Sequence, residues 1–251
     1  MNSNFLFTSV GDNTTFDELW IGDNMMYDIY AIYYGENDDI YSKYKSKIKF
    51  IEKRKGSKFQ NFKYFYDKYP DIIAKYDRFF ILDDDIVFKV EDINNMFKIS
   101  RKYELEICGP SFLQSGKISH RITRNKPDRF LTYTNFVEVN TPLFNTRALN
   151  TLMEVLDYSL IGWGIDILYM ILNGLDKKES YAIIHYIKCI NPEDNHKLHK
   201  KRELSCLKNC DLRKYVWIIF AKKKKIPQGF HTKEFKSIKI SDVSDLEFQK
   251  K

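Results

Sequence analysis

The sequence predicts an α/β fold, with a Rossmann-type mixed sheet flanked by helices and a basic C-terminal extension. Three observations predict it. Short apolar runs alternate with longer mixed stretches, one apolar run is continuous enough to be buried on both faces, and the positive charge is concentrated near the C-terminus. We expect residues 1–194 to form a single domain and residues 195–251 an extension packed on it.

The first three predicted strands follow the apolar runs in chain order. Residues 5–10 end at a Gly-Asp-Asn turn cluster, residues 27–34 end at a glycine, and residues 47–51 alternate between apolar and polar side chains. Each run has the length and the boundary expected of a strand. Together they predict one side of an α/β sheet.

A helical region and a central strand come next. Residues 57–76 place aromatic side chains at helical spacing with Pro70 interrupting, which predicts one or two helices. Residues 78–82 are apolar without a break, as in a parallel strand that is buried on both faces. The apolar run 215–221 predicts either a strand or helix packed on the domain, or a surface anchor on an anionic membrane.

Charge separates the chain into two parts. The 251 residues carry a net charge of +7, but residues 1–196 sum to −3 and residues 197–251 to +10. The acidic body argues against nucleic acid as a partner, although a non-enzymatic polyanion binder acting through its basic tail remains an alternative. No basic N-terminal region and no apolar run of about 20 residues is present, so we expect a cytoplasmic protein with peripheral membrane contact through the extension.

The four cysteines are scattered, which favours reduced thiols over a disulfide framework. Cys206 and Cys210 could be combined with His196 and His199 as a zinc site. The His pair is too closely spaced for the usual structural pattern, so this alternative is the weaker one.

The central strand ends in three consecutive carboxylates, Asp83-Asp84-Asp85. In a strand, Asp83 and Asp85 point to one side and Asp84 to the other. Ligands of α/β sheets bind at the carboxyl ends of the strands, and Mg²⁺ or Mn²⁺ is typically held there by one or two carboxylates and the phosphates of a substrate. The cluster predicts a cation and a phosphate-bearing substrate, and the alternative is a solvated acidic turn.

Two enzyme classes place Asp-x-Asp after an apolar strand. In haloacid-dehalogenase-like phosphatases Asp83 would be the nucleophile and Asp85 the acid/base, with Val87 in its usual place, but the downstream pair Asp242 and Asp245 is a poor metal motif. In GT-A-type glycosyltransferases the carboxylates hold a cation on the donor diphosphate. Three predicted strands precede the cluster, which favours the second class because the phosphatase motif normally ends the first strand.

Five motifs in order carry a family resemblance: Lys55-Gly56 through Lys63-Tyr64-Phe65 to Tyr69-Pro70-Asp71, the Asp cluster, Ser119 to Thr123, Phe136 to Val139 with Pro142-Leu143-Phe144, and Gly162-Trp163-Gly164-Ile165-Asp166. They resemble a glycosyltransferase-like family of plants and bacteria that was catalogued as a domain of unknown function. The resemblance covers residues 5–192. It implies a GT-A-like catalytic domain that uses Mn²⁺ or Mg²⁺, a nucleotide-sugar donor such as a UDP-sugar, and a glycan, protein or lipid hydroxyl acceptor.

The resemblance also implies site roles. Asp166, after a Trp-Gly turn at a helix start, is the candidate base, and Trp163 would stack on a sugar. The resemblance implies Asp83 and Asp85 as the metal ligands. The family's late-strand histidine position is occupied here by Lys188 or Cys189, so the third ligand is either His185, displaced on the same strand, or a water. The candidate donor contacts are Ser9, Val10, Gly11, Lys58, Lys63 and Asp84. The candidate acceptor or sugar contacts are His120, Arg121, Glu138, Trp163 and Gly164. Each also has a plain structural alternative, such as a surface lysine or a tight turn.

Overall fold

The structure is a computed structural model that describes residues 3–193 and 207–243. Within these ranges the predicted α/β fold is confirmed, because a nine-stranded mixed sheet is flanked by helices. The proposed zinc ligands Cys206, His196 and His199, together with Asp245, lie outside the described residues.

The strands, in chain order, are β1 Asn4–Val10, β2 Asp28–Tyr33, β3 Phe50–Lys53, β4 Arg78–Asp83, β5 Ile107–Phe112, β6 Arg129–Thr134, β7 Leu143–Asn145, β8 Tyr181–Cys189 and β9 Glu234–Lys239. The helices are α1 Phe16–Leu19, α2 Asp38–Lys45, α3 Lys58–Lys68, α4 Pro70–Ile73, α5 Val90–Lys102, α6 Thr146–Met153, α7 Ile165–Asn173 and α8 Arg213–Lys224.

The sheet has the order β3-β2-β1-β4-β7-β5-β8-β6-β9. Strands β3, β2, β1 and β4 are parallel, as are β5 and β8. Strand β7 is antiparallel to both β4 and β5, and β6 is antiparallel to both β8 and β9. The first half of the sheet is therefore parallel, and the second half is mixed, which agrees with the predicted mixed sheet.

Both faces of the sheet are covered, which explains the continuous apolar strands. In β1, Leu6 belongs to one buried layer, whereas Phe5 and Phe7 belong to the other. The second layer is rich in aromatic side chains, and the rings of Phe5 and Tyr30 stack with centroids 4.5 Å apart. Burial on both faces agrees with the interior positions of β1 and β4, the third and fourth strands of the nine.

One predicted boundary differs from the structure, and another is confirmed. β3 starts at Phe50, three residues later than the predicted 47–51 run, and Lys47 and Lys49, which precede the strand, form ion pairs with Asp17 and Asp28. The helical region divides at Pro70 as predicted, since proline is tolerated as the first residue of α4 but not inside a helix.

The C-terminal segment adds to the same sheet. β9 pairs antiparallel with β6 as an edge strand, and the apolar run 215–221 lies in α8. Trp217, Phe220 and Ala221 are buried in one of the two core clusters, so one side of α8 packs on the sheet domain. The longest helix of the described ranges, α5, has 13 residues, and no described helix has the length and apolarity for a membrane span.

Candidate active site

A cavity of about 730 Å³ opens at the carboxyl ends of β1, β2 and β4. Ser9 from β1, Tyr34 just after β2 and the Asp cluster after β4 line it from the sheet side. This is the edge of an α/β sheet where ligands bind, because the loops after successive parallel strands converge there. The location agrees with the sequence prediction.

The three carboxylates all line this cavity, but they do not continue the strand. β4 ends at Asp83, and Asp84 and Asp85 lie in a turn. The Oδ2 atom of Asp84 accepts hydrogen bonds from the Gly11 backbone N–H at 3.0 Å and from the Tyr34 hydroxyl at 3.3 Å. Asp84 thus ties the turn to the ends of β1 and β2, and this turn replaces the simple alternation that the sequence suggested.

Lys58, the first residue of α3, reaches beneath the cluster. Its Nζ lies 2.8 Å from Asp83 Oδ1 and donates to the carbonyl oxygens of Val139 at 2.7 Å and Asn140 at 2.9 Å. Burial lowers the pKa of Lys58, and the Asp83 carboxylate opposes that shift. The ammonium links α3, the end of β4 and the 139–140 segment, so it holds Asp83 in place in addition to any contact with a ligand.

A second pair of acidic groups lies across the cavity. Asp166 is in the first turn of α7, where its Oδ1 accepts from the backbone N–H of Ile167 at 2.9 Å. His120 Nε2 lies 3.9 Å from Asp166 Oδ2. Burial raises the pKa of Asp166, opposed by its backbone hydrogen bonds and by His120. The backbone N–H groups at the start of α7 and the neighbouring His120 imidazole therefore favour the charged form of the Asp166 carboxylate.

Glu138 is the more deeply buried of the two. Its carboxylate accepts from Asn140 Nδ2 at 2.9 Å and from the Thr123 hydroxyl at 3.3 Å. Burial raises the pKa of Glu138 to about 7, and the charges of Asp166 and Asp83 add to the shift. This carboxyl therefore changes protonation near neutral pH.

The Gly-Trp-Gly turn brings Asp166 to the cavity. Gly164 has a left-handed φ of 82°, and a Cβ at this position would overlap the Trp217 indole ring from α8. Trp163 is 46% exposed, and Lys214 Nζ lies 5.8 Å from the centroid of its ring. The C-terminal segment thus supports the turn that carries the candidate base.

The walls of the cavity are strongly acidic. The carboxylates that line it are Asp12, Asp17, Glu18, Asp83, Asp84, Asp85, Glu138 and Asp166, and the lysine and arginine side chains are Lys43, Lys58 and Arg213. An anionic ligand needs additional positive charge to enter such a site.

Hard oxygen ligands for a divalent cation are therefore present. Among the described residues, no group of three or more His, Cys, Asp or Glu side chains is arranged to hold a metal unaided. A cation that takes one or two carboxylates and completes its shell with phosphate oxygens and water fits Asp83 and Asp85.

His185 lies away from this cavity. It is buried in β8, where Nε2 lies 3.0 Å from the Thr132 hydroxyl and Nδ1 accepts from the Lys126 backbone N–H at 3.3 Å. Burial lowers its pKa to about 4, so the ring is neutral in the core. Since both ring nitrogens are engaged and the side chain does not line the cavity, the structure does not bring His185 to the Asp cluster.

Four other predicted contacts also lie outside the cavity lining. Lys63 pairs with Asp67 at 2.6 Å on the outer side of α3, and Val10 is fully buried in the core. Gly11 takes part only through its backbone bond to Asp84, and Arg121 is exposed at the start of a 3₁₀ turn. The predicted contacts that do line the cavity are Ser9, Lys58, Asp83, Asp84, Asp85, His120, Glu138, Trp163, Gly164 and Asp166.

Sequence reasoning missed several lining residues. Tyr34 and Asp12 directly follow β2 and β1, so their position at strand ends could have identified them. Asn140 supplies a carbonyl to Lys58, and Arg213 reaches the cavity from the C-terminal segment. No sequence signal marks Arg213, because its place depends on how α8 packs.

Comparisons with known proteins support the fold. A protein-family profile described as "Protein of unknown function (DUF707)" matches residues 23–132, which include the Asp cluster. This agrees with the resemblance to a glycosyltransferase-like family catalogued as a domain of unknown function. No curated protein matches the sequence.

Solved structures of the Staphylococcus aureus protein TarS have a similar fold. The fragment 1–349 matches with a TM-score of 0.52 at 8% identity, over 88% of this chain and 65% of that one. The same fragment in complex with UDP-GlcNAc gives 0.52 at 9% identity, over 88% and 66%. A longer TarS structure gives 0.50 at 8% identity, over 88% and 39%. The chain thus has a fold similar to that of TarS and spans less than two thirds of the first of these structures.

Proposed function

We propose that the protein is a metal-dependent glycosyltransferase that moves a sugar from a nucleotide-sugar donor to a hydroxyl acceptor. One observation carries the proposal. Asp83 and Asp85 follow the central strand of a glycosyltransferase-like sheet and line a cavity of about 730 Å³ that also contains Asp166. The TarS structure with UDP-GlcNAc favours a UDP-sugar as the donor to test first.

The charge of the cavity supports a requirement for a cation. Eight carboxylates and two lysines with one arginine line it, so a donor diphosphate would be repelled without added positive charge. Mn²⁺ or Mg²⁺ would neutralise charge on the departing diphosphate. Asp83 and Asp85 would supply the protein's ligands, while Lys58 fixes the position of Asp83.

Asp166 is the proposed base. It lies at the start of α7, beside the exposed Trp163, and faces the cavity. Burial raises its pKa and so strengthens it as a base, provided that it is deprotonated at the working pH. It would take the proton from the acceptor hydroxyl. The Asp166→Asn variant should still bind donor but lose transfer by about 100-fold or more.

Binding of donor and metal is the first experiment. Thermal unfolding is measured with Mn²⁺ alone, UDP alone, both together, and UDP-GlcNAc with Mn²⁺. We expect a rise of several degrees only when nucleotide and Mn²⁺ are both present, because ligand at about 100 times its Kd stabilises the folded state by about 2.7 kcal/mol. The Asp85→Asn variant should lose the rise, whereas Asp71→Asn, an exposed carboxylate on α4, should keep it. An equal rise without Mn²⁺, or in Asp85→Asn, would contradict the proposal.

A further inference from the structure

The outer face of α8 is apolar where a surface helix is normally polar. Leu212, Tyr215 and Ile219 are 53%, 61% and 50% exposed. At about 100° per residue these three side chains lie within roughly 60° of one another, and their centre lies about 140° from the centre of the buried face that carries Trp217 and Phe220. A helix that is apolar on two sides is typically covered on both.

Positive charge lies at the C-terminal end of this apolar stripe. Helix α8 contains no acidic residue, and its last turn runs into the exposed lysines Lys222–Lys225. Lys214 adds a further cation in the first turn of the helix, near the ring of Trp163. Apolar side chains combined with lysines at one end are typical of a helix that lies in the interface of an anionic membrane. Nucleic acid would use the lysines but not the aliphatic stripe.

The stripe borders the candidate active site. Leu212 directly precedes Arg213, which lines the cavity, and Lys214 lies over the ring of the exposed Trp163. The segment that carries the stripe therefore also contributes to the lining of the cavity.

We propose that the α8 outer face, formed by Leu212, Tyr215, Ile219 and Lys222–Lys225, docks on the surface of an anionic membrane. The apolar side chains enter the headgroup layer, and the lysines contact lipid phosphates. The contact involves neither the nucleotide nor the metal, so it stands or fails separately from the proposed glycosyltransferase activity.

Vesicle flotation tests the proposal with the full chain. The wild-type protein should float with vesicles of phosphatidylcholine containing about one third phosphatidylglycerol, should not float with phosphatidylcholine alone, and should bind less as salt screens the charges. The Tyr215→Ser/Ile219→Ser variant should lose about tenfold or more of its partitioning. Ile240→Ser is the matched control, because Ile240 is 45% exposed outside α8, and it should bind as wild type.

A charge-reversal pair separates the local effect from net charge. Lys222→Glu/Lys223→Glu should lose binding to anionic vesicles by about tenfold or more. Lys75→Glu/Lys98→Glu makes the same change in net charge at two other exposed lysines, one just after α4 and one in α5. This control pair should bind vesicles like the wild type. Thermal melts check that each variant is folded.

The proposal is overturned if the folded wild type does not float with anionic vesicles. It is also overturned if both lysine pairs lose vesicle binding equally, or if Tyr215→Ser/Ile219→Ser binds vesicles as well as the wild type. A dimer in solution that Ile219→Ser dissociates would instead assign the face to a second copy of the chain, and salt-sensitive binding to DNA without vesicle binding would assign it to nucleic acid.

Discussion

At the scale of single residues, burial controls the charge of the acidic groups in the cavity. Glu138 is 3% exposed, and Asn140, Thr123 and Ser119, which donate hydrogen bonds to its carboxylate, are neutral. Neutral donors offset only part of the cost of burying a carboxylate. The side chain therefore stays protonated to a higher pH than an exposed glutamate.

Burial of Glu138 therefore predicts a free energy of unfolding that falls as the pH rises. The pKa of about 7 in the folded protein lies above the ordinary value of 4.5, so the unfolded state releases the proton first. The contribution of the Glu138 carboxyl to the free energy of unfolding is complete below about pH 4.5 and is lost as the pH rises through about 7. The difference in free energy of unfolding between Glu138→Gln and the wild type should therefore be larger at pH 8 than at pH 4, in favour of the variant, by up to about 3 kcal/mol. Urea unfolding at both pH values measures it, and a pH-independent difference would contradict the shift.

At the scale of elements, α3 and the end of β4 are joined through one ammonium group. Lys58 lies at the N-terminal end of α3 and holds Asp83 together with backbone carbonyls of the 139–140 segment. Its neighbour Lys63 pairs with Asp67 four residues along the same helix. The two lysines looked alike in sequence, and their surroundings distinguish them.

The two lysines should therefore respond differently to removal of the charge. Lys58→Met leaves Asp83 and the buried carbonyls without their donor, so we expect a loss of about 1–3 kcal/mol in the free energy of unfolding. Lys58→Met should also bind the nucleotide-sugar donor more weakly. Lys63→Met removes an exposed pair and should cost about 0.5 kcal/mol or less. Chemical denaturation of both variants makes the comparison, and equal losses would show that the Lys58 contacts are not stabilising.

The loop that precedes α7 depends on a contact between elements. Alanine at Gly164 must adopt a left-handed φ, at about 1–2 kcal/mol, and must also displace the Trp217 ring, at about 1–3 kcal/mol more. Gly174 has a φ of 91°, and a Cβ there would make only an ordinary contact with Lys177 Cε at 3.9 Å, so the cost of Gly174→Ala comes from the backbone alone. Gly164→Ala should therefore be the less stable variant by thermal unfolding, and adding Trp217→Ala should relieve its extra penalty. Equal melting temperatures for the two alanine variants would argue against the overlap.

At the scale of the whole molecule, the C-terminal segment belongs to the folded unit. Trp217 alone, buried between α8 and the Gly-Trp-Gly turn, accounts for about 3–5 kcal/mol, a large part of the 5–15 kcal/mol that stabilises a typical domain. β9 also covers the edge of β6. The segment is joined to the domain by sheet pairing as well as by side-chain packing.

Truncation tests this dependence. A chain that ends at residue 193 lacks α8 and β9, exposes the edge of β6, and should aggregate or unfold without cooperativity. A chain that ends at residue 243 keeps both elements and should unfold like the full chain. Circular dichroism and gel filtration compare the two. A cooperative monomer of residues 1–193 would instead make the segment a separable extension.

The sequence by itself determined the α/β class, the central strand and the acidic cluster at its end, because these depend on local periodicity and on residues adjacent in the chain. Only the tertiary structure decided which polar residues meet. It brought Lys58, Asp166 and Arg213 to one cavity and left Lys63 and His185 outside it. The reason is physical: the presence of a strand and its burial follow from the periodicity of its own side chains, whereas a cavity is built from loops and helices whose positions depend on packing between distant segments. The basic tail shows this most clearly, since its charge was evident in the sequence but its support of the candidate base through Trp217 was not.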